Sequence, residues 1–286
     1  MIVFRTVPEL RDAVRAARDA GARVGLVPTM GAFHEGHLAL MRRAREVCDF
    51  VIVSLFVNPA QFNEQADLDG YPRDEAHDAV LAESAGAAVL FAPSVSEVYP
   101  LGFATTVDVG TLAEPLEGVV RGPKHFRGVA TVVAKLLNMA QPDDAFFGQK
   151  DAQQALIIRR LARDLDIPVR IEVCPTIREG DGLAMSSRNA LLDAASRGRA
   201  PTLARALFAT RDMIVGGETR AARALDAGHA ILAAERIAPE YFTVVSADTL
   251  EPVEIVRGDV LIPIAARFGG VRLIDNVIVS VEGVAS

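Results

Sequence analysis

The chain of 286 residues carries 30 Lys and Arg against 37 Asp and Glu, a formal net charge of −7. Half of its residues are hydrophobic and 23% are charged, which excludes a disordered chain and describes a globular one. The acidic balance argues against broad nucleic-acid binding, which needs a basic surface to neutralise phosphate, but leaves room for a local cationic pocket.

The length suits two domains. The N-terminal residues 1–12 reach Glu9 without a long apolar run or cleavage site, so no signal peptide is expected and a cytoplasmic location is. No apolar segment approaches the ~18–20 residues that span a bilayer. Residues 23–27 (RVGLV) read as a strand, followed by a glycine-rich turn and a helix through Leu38, Met41, Ala44 and Cys48. Residues 50–56 (FVIVSLF) are a near-continuous apolar strand, as expected where both faces of a parallel sheet are covered. Residues 74–84 predict a helix and 88–91 a strand. Val129, Val132, Val133, Leu136 and Leu137 make one apolar helical stripe. A strand at 145–147, a helix at 153–163 and a strand at 169–173 follow. This alternation predicts a Rossmann-like open parallel α/β sheet with right-handed crossovers.

Beyond about Thr176 the pattern changes. Helical stretches at 194–215 and 219–237 precede strand-like runs at 241–246, 259–266 and 271–279, the order of a smaller α+β domain. The expected domains are therefore 1–176 and 177–286, with Pro175, Gly180 and Gly182 punctuating the boundary. Cys48 and Cys174 are the two cysteines. They form no Cys-x-x-Cys pair and are expected as buried thiols of a reducing compartment. His229 reads as a surface residue of the second domain.

The sharpest feature is Pro28-Thr29-Met30-Gly31-Ala32-Phe33-His34-Glu35-Gly36-His37, between the first confident strand and a helix. Ligands of open α/β sheets collect at the carboxyl ends of strands, where this segment lies. Its glycines allow close approach of backbone to ligand, and the helix start presents unpaired N–H groups suited to phosphate. At ~100° per residue the rings of His34 and His37 share one side of the first helical turn. Two imidazoles there can stabilise charge that builds on a phosphoryl group. Plainer uses compete: a helix cap with a packing residue, or a zinc pair, for which no Cys cluster or third ligand stands at motif spacing. Glu35 lacks the His-Glu-x-x-His order of a metalloprotease and reads as a solvated or cap-supporting carboxylate. A Walker A loop and a Gly-x-Gly-x-x-Gly fingerprint are both missing, so ATP bound here is not held in the P-loop manner.

A His-x-Gly-His turn after the first strand of an alternating α/β chain resembles the nucleotidyltransferase superfamily, whose members join a nucleotide α-phosphate to a nucleophile and release pyrophosphate. Further segments follow in order: Asn58-Pro59-Ala60-Gln61-Phe62, Tyr71-Pro72-Arg73, then His125-Phe126-Arg127-Gly128-Val129 with Thr131, Val132, Val133 and Lys135. Gly148-Gln149-Lys150-Asp151-Ala152-Gln153-Gln154 and Met185-Ser186-Ser187-Arg188-Asn189 complete the series. In this order, and over essentially the whole chain, the series resembles the pantothenate synthetase family. The resemblance implies an ATP-dependent ligase that uses Mg²⁺ and joins pantoate to β-alanine through an enzyme-bound pantoyl adenylate, releasing AMP and pyrophosphate. It also implies a homodimer whose partners are small molecules, with neither nucleic acid nor membrane among them.

By the same resemblance Met30, Gly31, Ala32, Phe33, His34, Glu35, Gly36 and His37 line the ATP site. His34 and His37 lie near the phosphates and His37 is the family's assigned proton donor, although charge stabilisation suffices for pyrophosphate that leaves as its Mg²⁺ complex. Gly148, Gln149, Lys150 and Asp151 match a second ATP segment, Lys150 supplying a cation and Asp151 serving ribose hydroxyls or ordering Lys150. Ile177 matches a backbone contact to ATP. Met185, Ser186, Ser187 and Arg188 match a third segment, which resembles the mobile Lys-Met-Ser-Lys-Ser loop of class I aminoacyl-tRNA synthetases; a simple helix cap is its plainer use. Gln61 and Gln154 match pantoate-binding glutamines, Gln61 also at the β-alanine position, with Pro28 and Asn58 in the same pocket. Neutral amides hold hydroxyls and carboxylates without becoming nucleophiles. Gln153 reads as structural, because adjacent helix positions face different ways. The expected catalytic set is His37, His34, Lys150 and Arg188.

The chain departs from the family in two places. Where the family commonly reads Arg-Pro-Gly-His-Phe, Arg121-Gly122-Pro123-Lys124-His125-Phe126 has one more residue, which leaves open whether Arg121 or Lys124 faces the site. Adjacent acids that approach the metal in some members align with His77-Asp78, so the protein ligands of Mg²⁺ also stay open. Two rival readings are another nucleotidyltransferase and a catalytically silent nucleotide sensor. The acidic balance disfavours a tRNA substrate, the Gln61 and Gln154 pair disfavours a phosphorylated acceptor, and the joint presence of His34, His37, Lys150 and Arg188 disfavours a sensor. The C-terminal domain is expected to lid the site in part.

Overall fold

The computed structural model describes residues 1–281. The chain forms two compact units, one of Met1–Gly148 with Gln153–Pro175 and one of Gln149–Ala152 with the chain from Thr176 onward.

The first unit runs β1 (Ile2–Phe4), α1 (Val7–Asp19), β2 (Val24–Thr29), α2 (Glu35–Val47), β3 (Phe50–Leu55), α3 (Gln65–Asp69), α4 (Glu75–Ser84), β4 (Val89–Phe91), α5 (Val95–Val98), α6 (Glu117–Arg121), α7 (Pro123–Ala140), β5 (Asp144–Gly148), α8 (Ala152–Asp164) and β6 (Arg170–Cys174). Its strands make a parallel six-stranded sheet in the order β1-β4-β3-β2-β5-β6. This is the expected Rossmann-like open sheet, extended at its N-terminal end by β1 and α1. Thr6 caps α1 in a reciprocal box with Glu9, the arrangement that satisfies two otherwise unpaired donors at a helix start.

The apolar strands divide their side chains between two cores, as the two-residue period of a strand requires. Val24, Leu26 and Ile52 pack with Val129, Val133 and Leu137 of α7. Val27, Val51 and Val53 pack with Met41, Ala44 and Cys48 on the α2 side. With both faces covered, β2 and β3 read as near-continuous apolar runs. From β2 the chain builds β3 and β4 to one side and then returns to place β5 on the other. The β2–β5 pairing covers only Gly25–Asp144 and Leu26–Ala145. The two strands therefore part toward their carboxyl ends, at the point where strand order reverses and where open sheets take their ligands.

The second unit contains α9 (Ala194–Arg199), α10 (Thr202–Val215), α11 (Ala221–Ala234), β7 (Pro239–Phe242), β8 (Val245–Ser246), β9 (Gly258–Phe268) and β10 (Val271–Val281). Its strands are antiparallel in the order β10-β9-β7, with β8 also on β9. The expected single helix over 194–215 is instead two, because Pro201 lies between them and brings no N–H for a helical hydrogen bond. The expected strand over 241–246 likewise divides into β7 and β8. His229 is exposed, with its ring edge-on to Phe242. Cys48 and Cys174 are buried free thiols. Among the described residues no helix is long and apolar enough to cross a membrane.

Candidate active site

In the first unit, the turn between β2 and α2 is shaped by backbone conformation before any side chain acts. Gly31 has φ +90, and a β-carbon there would lie 2.7 Å from Leu55 Cδ1 and 2.8 Å from Asp78 Oδ2, so the position admits only glycine. Ala32 follows with φ +54, a conformation that alanine rarely adopts. What holds it is Asp78 of α4, whose side chain is 1% exposed. The Ala32 N–H donates to Asp78 Oδ2 at 2.9 Å and the Phe33 N–H to Oδ1 at 2.8 Å.

The turn delivers His34 as the N-cap of α2 and His37 as its third residue. The Gly36 N–H donates to His34 Nδ1 at 3.1 Å, and the His34 N–H donates to His37 Nδ1 at 3.3 Å. Each Nδ1 is thus an acceptor, which puts the proton of a neutral ring on Nε2. The ring centroids are 4.2 Å apart. The capping use is present in this structure, and the two rings stand side by side at the positive end of the helix dipole, one nitrogen of each serving the helix start. Glu35 turns away to pair with Arg42, as a solvated carboxylate does.

Asn58, 1% exposed, begins a 3-10 turn over Pro59–Gln61. Its Oδ1 accepts from the Ala60 N–H at 3.2 Å and from the Tyr99 hydroxyl at 2.8 Å. Its Nδ2 donates to the Gly128 carbonyl at 3.1 Å and to Gln61 Oε1 at 3.0 Å. Gln61 Nε2 in turn points to the Met30 thioether at 3.0 Å, and the His125 Nδ1 meets the Gln61 carbonyl at 2.8 Å. Burial pushes the Tyr99 phenol up to about 12, so it holds its proton. Met30, Asn58 and Gln61 are thus brought together, with Pro28 half-buried on β2. Gln154 is half-buried on α8. Gln153 beside it is 5% exposed. Its amide donates to the carbonyls of Leu112 and Pro115 and accepts from the Glu117 N–H, a wholly structural use.

Gly122, with φ +73, separates α6 from α7. Arg121 is tied back to Glu117 at 2.8 Å, and Lys124 is exposed on the first turn of α7. His77 is exposed and Asp78 has both oxygens on backbone donors. Among the described residues no group of three or more His, Cys, Asp or Glu could hold a metal ion. Mg²⁺ commonly keeps several of its waters and binds through substrate phosphates.

In the second unit, Gln149, Lys150 and Asp151 form a 3-10 turn directly after Gly148. The Asn276 side chain holds the carbonyls of Gln149 and Lys150. Ile177 and Met185 close a hairpin in which the Met185 N–H donates to the Ile177 carbonyl at 2.9 Å and Arg178 bridges Ala184. Ser186 caps the short turn Ser187–Leu191 by accepting from the Arg188 N–H, and Ser187 and Arg188 are exposed. Asn189 ties the loop together through Glu179 and the Ala184 carbonyl.

Sequence reasoning missed Tyr99 and Asn276. Tyr99 gives no signal in a single sequence. Asn276 does: Asp275-Asn276 is a polar pair in the middle of an otherwise mostly apolar strand, which marks either an error or a purpose.

The chain matches the model of the pantoate-β-alanine ligase family over residues 2–278. It is 54% identical over 275 residues to the pantothenate synthetase of Cereibacter sphaeroides, which covers 96% of this chain and 98% of that one. The crystal structure of pantothenate synthetase from Thermus thermophilus is similar at a TM-score of 0.90 and 47% identity, covering 97% of this chain and 99% of that one. The pantoate-β-alanine ligase of Francisella tularensis, complexed with beta-gamma ATP and β-alanine, is similar at a TM-score of 0.75 and 31% identity over 97% of each chain.

Proposed function

The chain belongs to the pantoate–β-alanine ligase family and is an ATP-dependent ligase that condenses pantoate with β-alanine; we propose that it does so through a pantoyl adenylate, with the following division of labour. A carboxylate is too poor an electrophile to meet an amine at neutral pH. The pantoate carboxylate first attacks the α-phosphorus of ATP, forming the mixed anhydride and breaking the bond to pyrophosphate. The β-alanine amine then attacks the acyl carbon, AMP leaves with the bonding pair, and the nitrogen loses its proton.

The observation that carries this reading is the pair of imidazoles whose Nδ1 atoms both face backbone donors. With the ring protons on Nε2, His34 and His37 act as preorganised donors to negative charge developing on the phosphates. Lys150, Ser186, Ser187 and Arg188 are assigned to the same ATP as charge and hydroxyl donors. Met30 to His37, Gly148 to Asp151, Ile177 and Met185 serve it by shape and backbone. Gln61, Gln154, Asn58 and Pro28 are assigned to pantoate, and Gln61 also to β-alanine. Alignment of the two reactants removes an entropic barrier worth ~7–11 kcal/mol in favourable cases. Mg²⁺ enters with ATP as part of the substrate. A cytoplasmic homodimer completes the proposal.

The test is exchange of labelled pyrophosphate into ATP that depends on pantoate and needs no β-alanine. His37→Ala and Lys150→Ala are each expected to slow single-turnover adenylation ~10²–10³-fold with little change in pantoate binding. Folded protein without exchange rules out the adenylate, and unchanged single-turnover rates remove these two residues from the mechanism.

A further inference from the structure

Asp275 and Asn276 stand side by side in β10 and are 3% and 4% exposed. A strand directs successive side chains to opposite faces, and the two residues serve different partners. Asn276 Nδ2 donates to the carbonyls of Gln149 and Lys150, each at 2.9 Å. Its Oδ1 accepts from Gln149 Nε2 at 2.8 Å. Both N–H groups and the oxygen of one buried carboxamide are therefore spent on a three-residue turn more than 120 positions earlier in the chain. Asp275 accepts both arms of the Arg178 guanidinium, at 2.6 and 3.0 Å, and the Asn276 N–H at 2.7 Å. Arg178 also donates to the Gly182 carbonyl at 3.0 Å, inside the hairpin that leads from Ile177 to Met185. Burial pushes the Asp275 carboxyl up, opposed by Arg178 and by the charge of Lys150.

An apolar pair would suit a strand interior better, since buried polar groups are costly unless every bond is made. Here every bond of the Asn276 amide is made, and each goes to the segment that bears Lys150.

We infer that Asn276 is a positioning residue for adenylation: it fixes the backbone of the Gln149–Asp151 turn so that the Lys150 ammonium is presented in one place. Asp275 supports it by anchoring Arg178 and the hairpin beyond. The inference rests on the role assigned to Lys150 above. A shift of ~1 Å at a charge stabiliser is enough to cost ~10²-fold in rate, so the backbone beneath Lys150 matters as much as the ammonium.

The experiment is a double-mutant cycle read by pantoate-dependent pyrophosphate exchange. Asn276→Asp keeps the shape of the side chain, removes both donors and sets a carboxylate against two carbonyls. It is expected to slow exchange about 10- to 100-fold with the KM for pantoate unchanged. In a Lys150→Ala background the same substitution is expected to cost less than about threefold, because its effect passes through Lys150. Equal losses in both backgrounds make Asn276 a general structural residue and overturn the inference alone, as does full activity of Asn276→Asp in the parent. A parent-like rate for Lys150→Ala by itself removes the premise and the inference with it, a result distinct from either. If the aspartate variant fails to fold, as judged by its melting, Asn276→Ala removes the donors without adding charge and carries the same comparison.

Discussion

Gly128 of α7 and Ala60 of the Pro59–Gln61 turn meet so closely that a β-carbon on Gly128 would lie 2.4 Å from the Ala60 carbonyl oxygen. The obstacle is backbone, so it cannot swing aside as a side chain can. The Gly128 carbonyl also accepts from Asn58 Nδ2, which seats the turn on the helix by contact and by hydrogen bond together.

Gly128→Ala is accordingly expected to push the turn, and Gln61 with it, off the helix. Overpacking against a fixed wall costs about 1–3 kcal/mol, to be read from urea unfolding. The KM for pantoate is expected to rise about 10-fold or more, while the KM for ATP moves little. A pantoate KM equal to that of the parent dissociates this turn from substrate binding.

Asp78→Asn tests the carboxylate that holds the Ala32 and Phe33 N–H groups. An amide retains one acceptor and sets an NH₂ against the other N–H, leaving a buried donor unpaired at a cost of about 1–3 kcal/mol. Exchange is expected to slow because the cap residue His34 follows directly on this turn. The Mg²⁺ concentration giving half-maximal exchange is expected to stay the same. A shift to higher Mg²⁺ makes Asp78 a metal ligand and contradicts the assignment.

Strands β2 and β3 were legible because burial of both faces leaves few polar residues to confuse the pattern, and the His34–His37 turn was legible because its spacing and its place after β2 are local facts. Pro201 shows where periodicity misleads: apolar spacing runs straight through it, yet the missing N–H ends one helix and begins another. Asp78 and Asn276 were opaque for a different reason. Asp78 reads as an available carboxylate until Ala32 and Phe33, some 45 residues earlier, are seen to occupy both of its oxygens. Asn276 gains its meaning only from Gln149 and Lys150. Long-range polar contacts of this kind leave no period in the sequence.

The thiols give a prediction for alkaline pH. Burial, with a further contribution from Asp144, pushes Cys48 up to about 12, and burial pushes Cys174 up to about 11, from an ordinary 9.0. Above pH 9 the unfolded chain releases these protons while the folded chain holds them. The stability they contribute is therefore complete below pH 9 and is lost as pH rises toward 11–12. Replacing both with Ala is expected to flatten the fall of urea stability across that window relative to the parent. Parallel profiles for the two proteins would count against buried, protonated thiols.

The polarity of Gln61 follows from groups whose roles admit no choice. The Ala60 N–H can only donate and the Gly128 carbonyl can only accept, so Asn58 presents its oxygen to the first and its nitrogen to the second. The same nitrogen then faces Gln61 Oε1, which leaves the Gln61 NH₂ beside Met30 as the donor that the proposed pantoate role requires. Tyr99 adds a further donor to Asn58 Oδ1 and, with its phenol raised to about 12 by burial, remains one throughout the working range. Gln61→Glu keeps the acceptor for Asn58 but replaces the donor with negative charge facing a carboxylate substrate. Like charges brought together at a desolvated site cost several kcal/mol, so the KM for pantoate is expected to rise roughly 100-fold or more. Tyr99→Phe, which removes only a redundant support, is expected to raise it about two- to fivefold, with no inflection near pH 10 in the parent. Should Gln61→Glu bind pantoate as the parent does, the amide is turned the other way and the donor assignment fails.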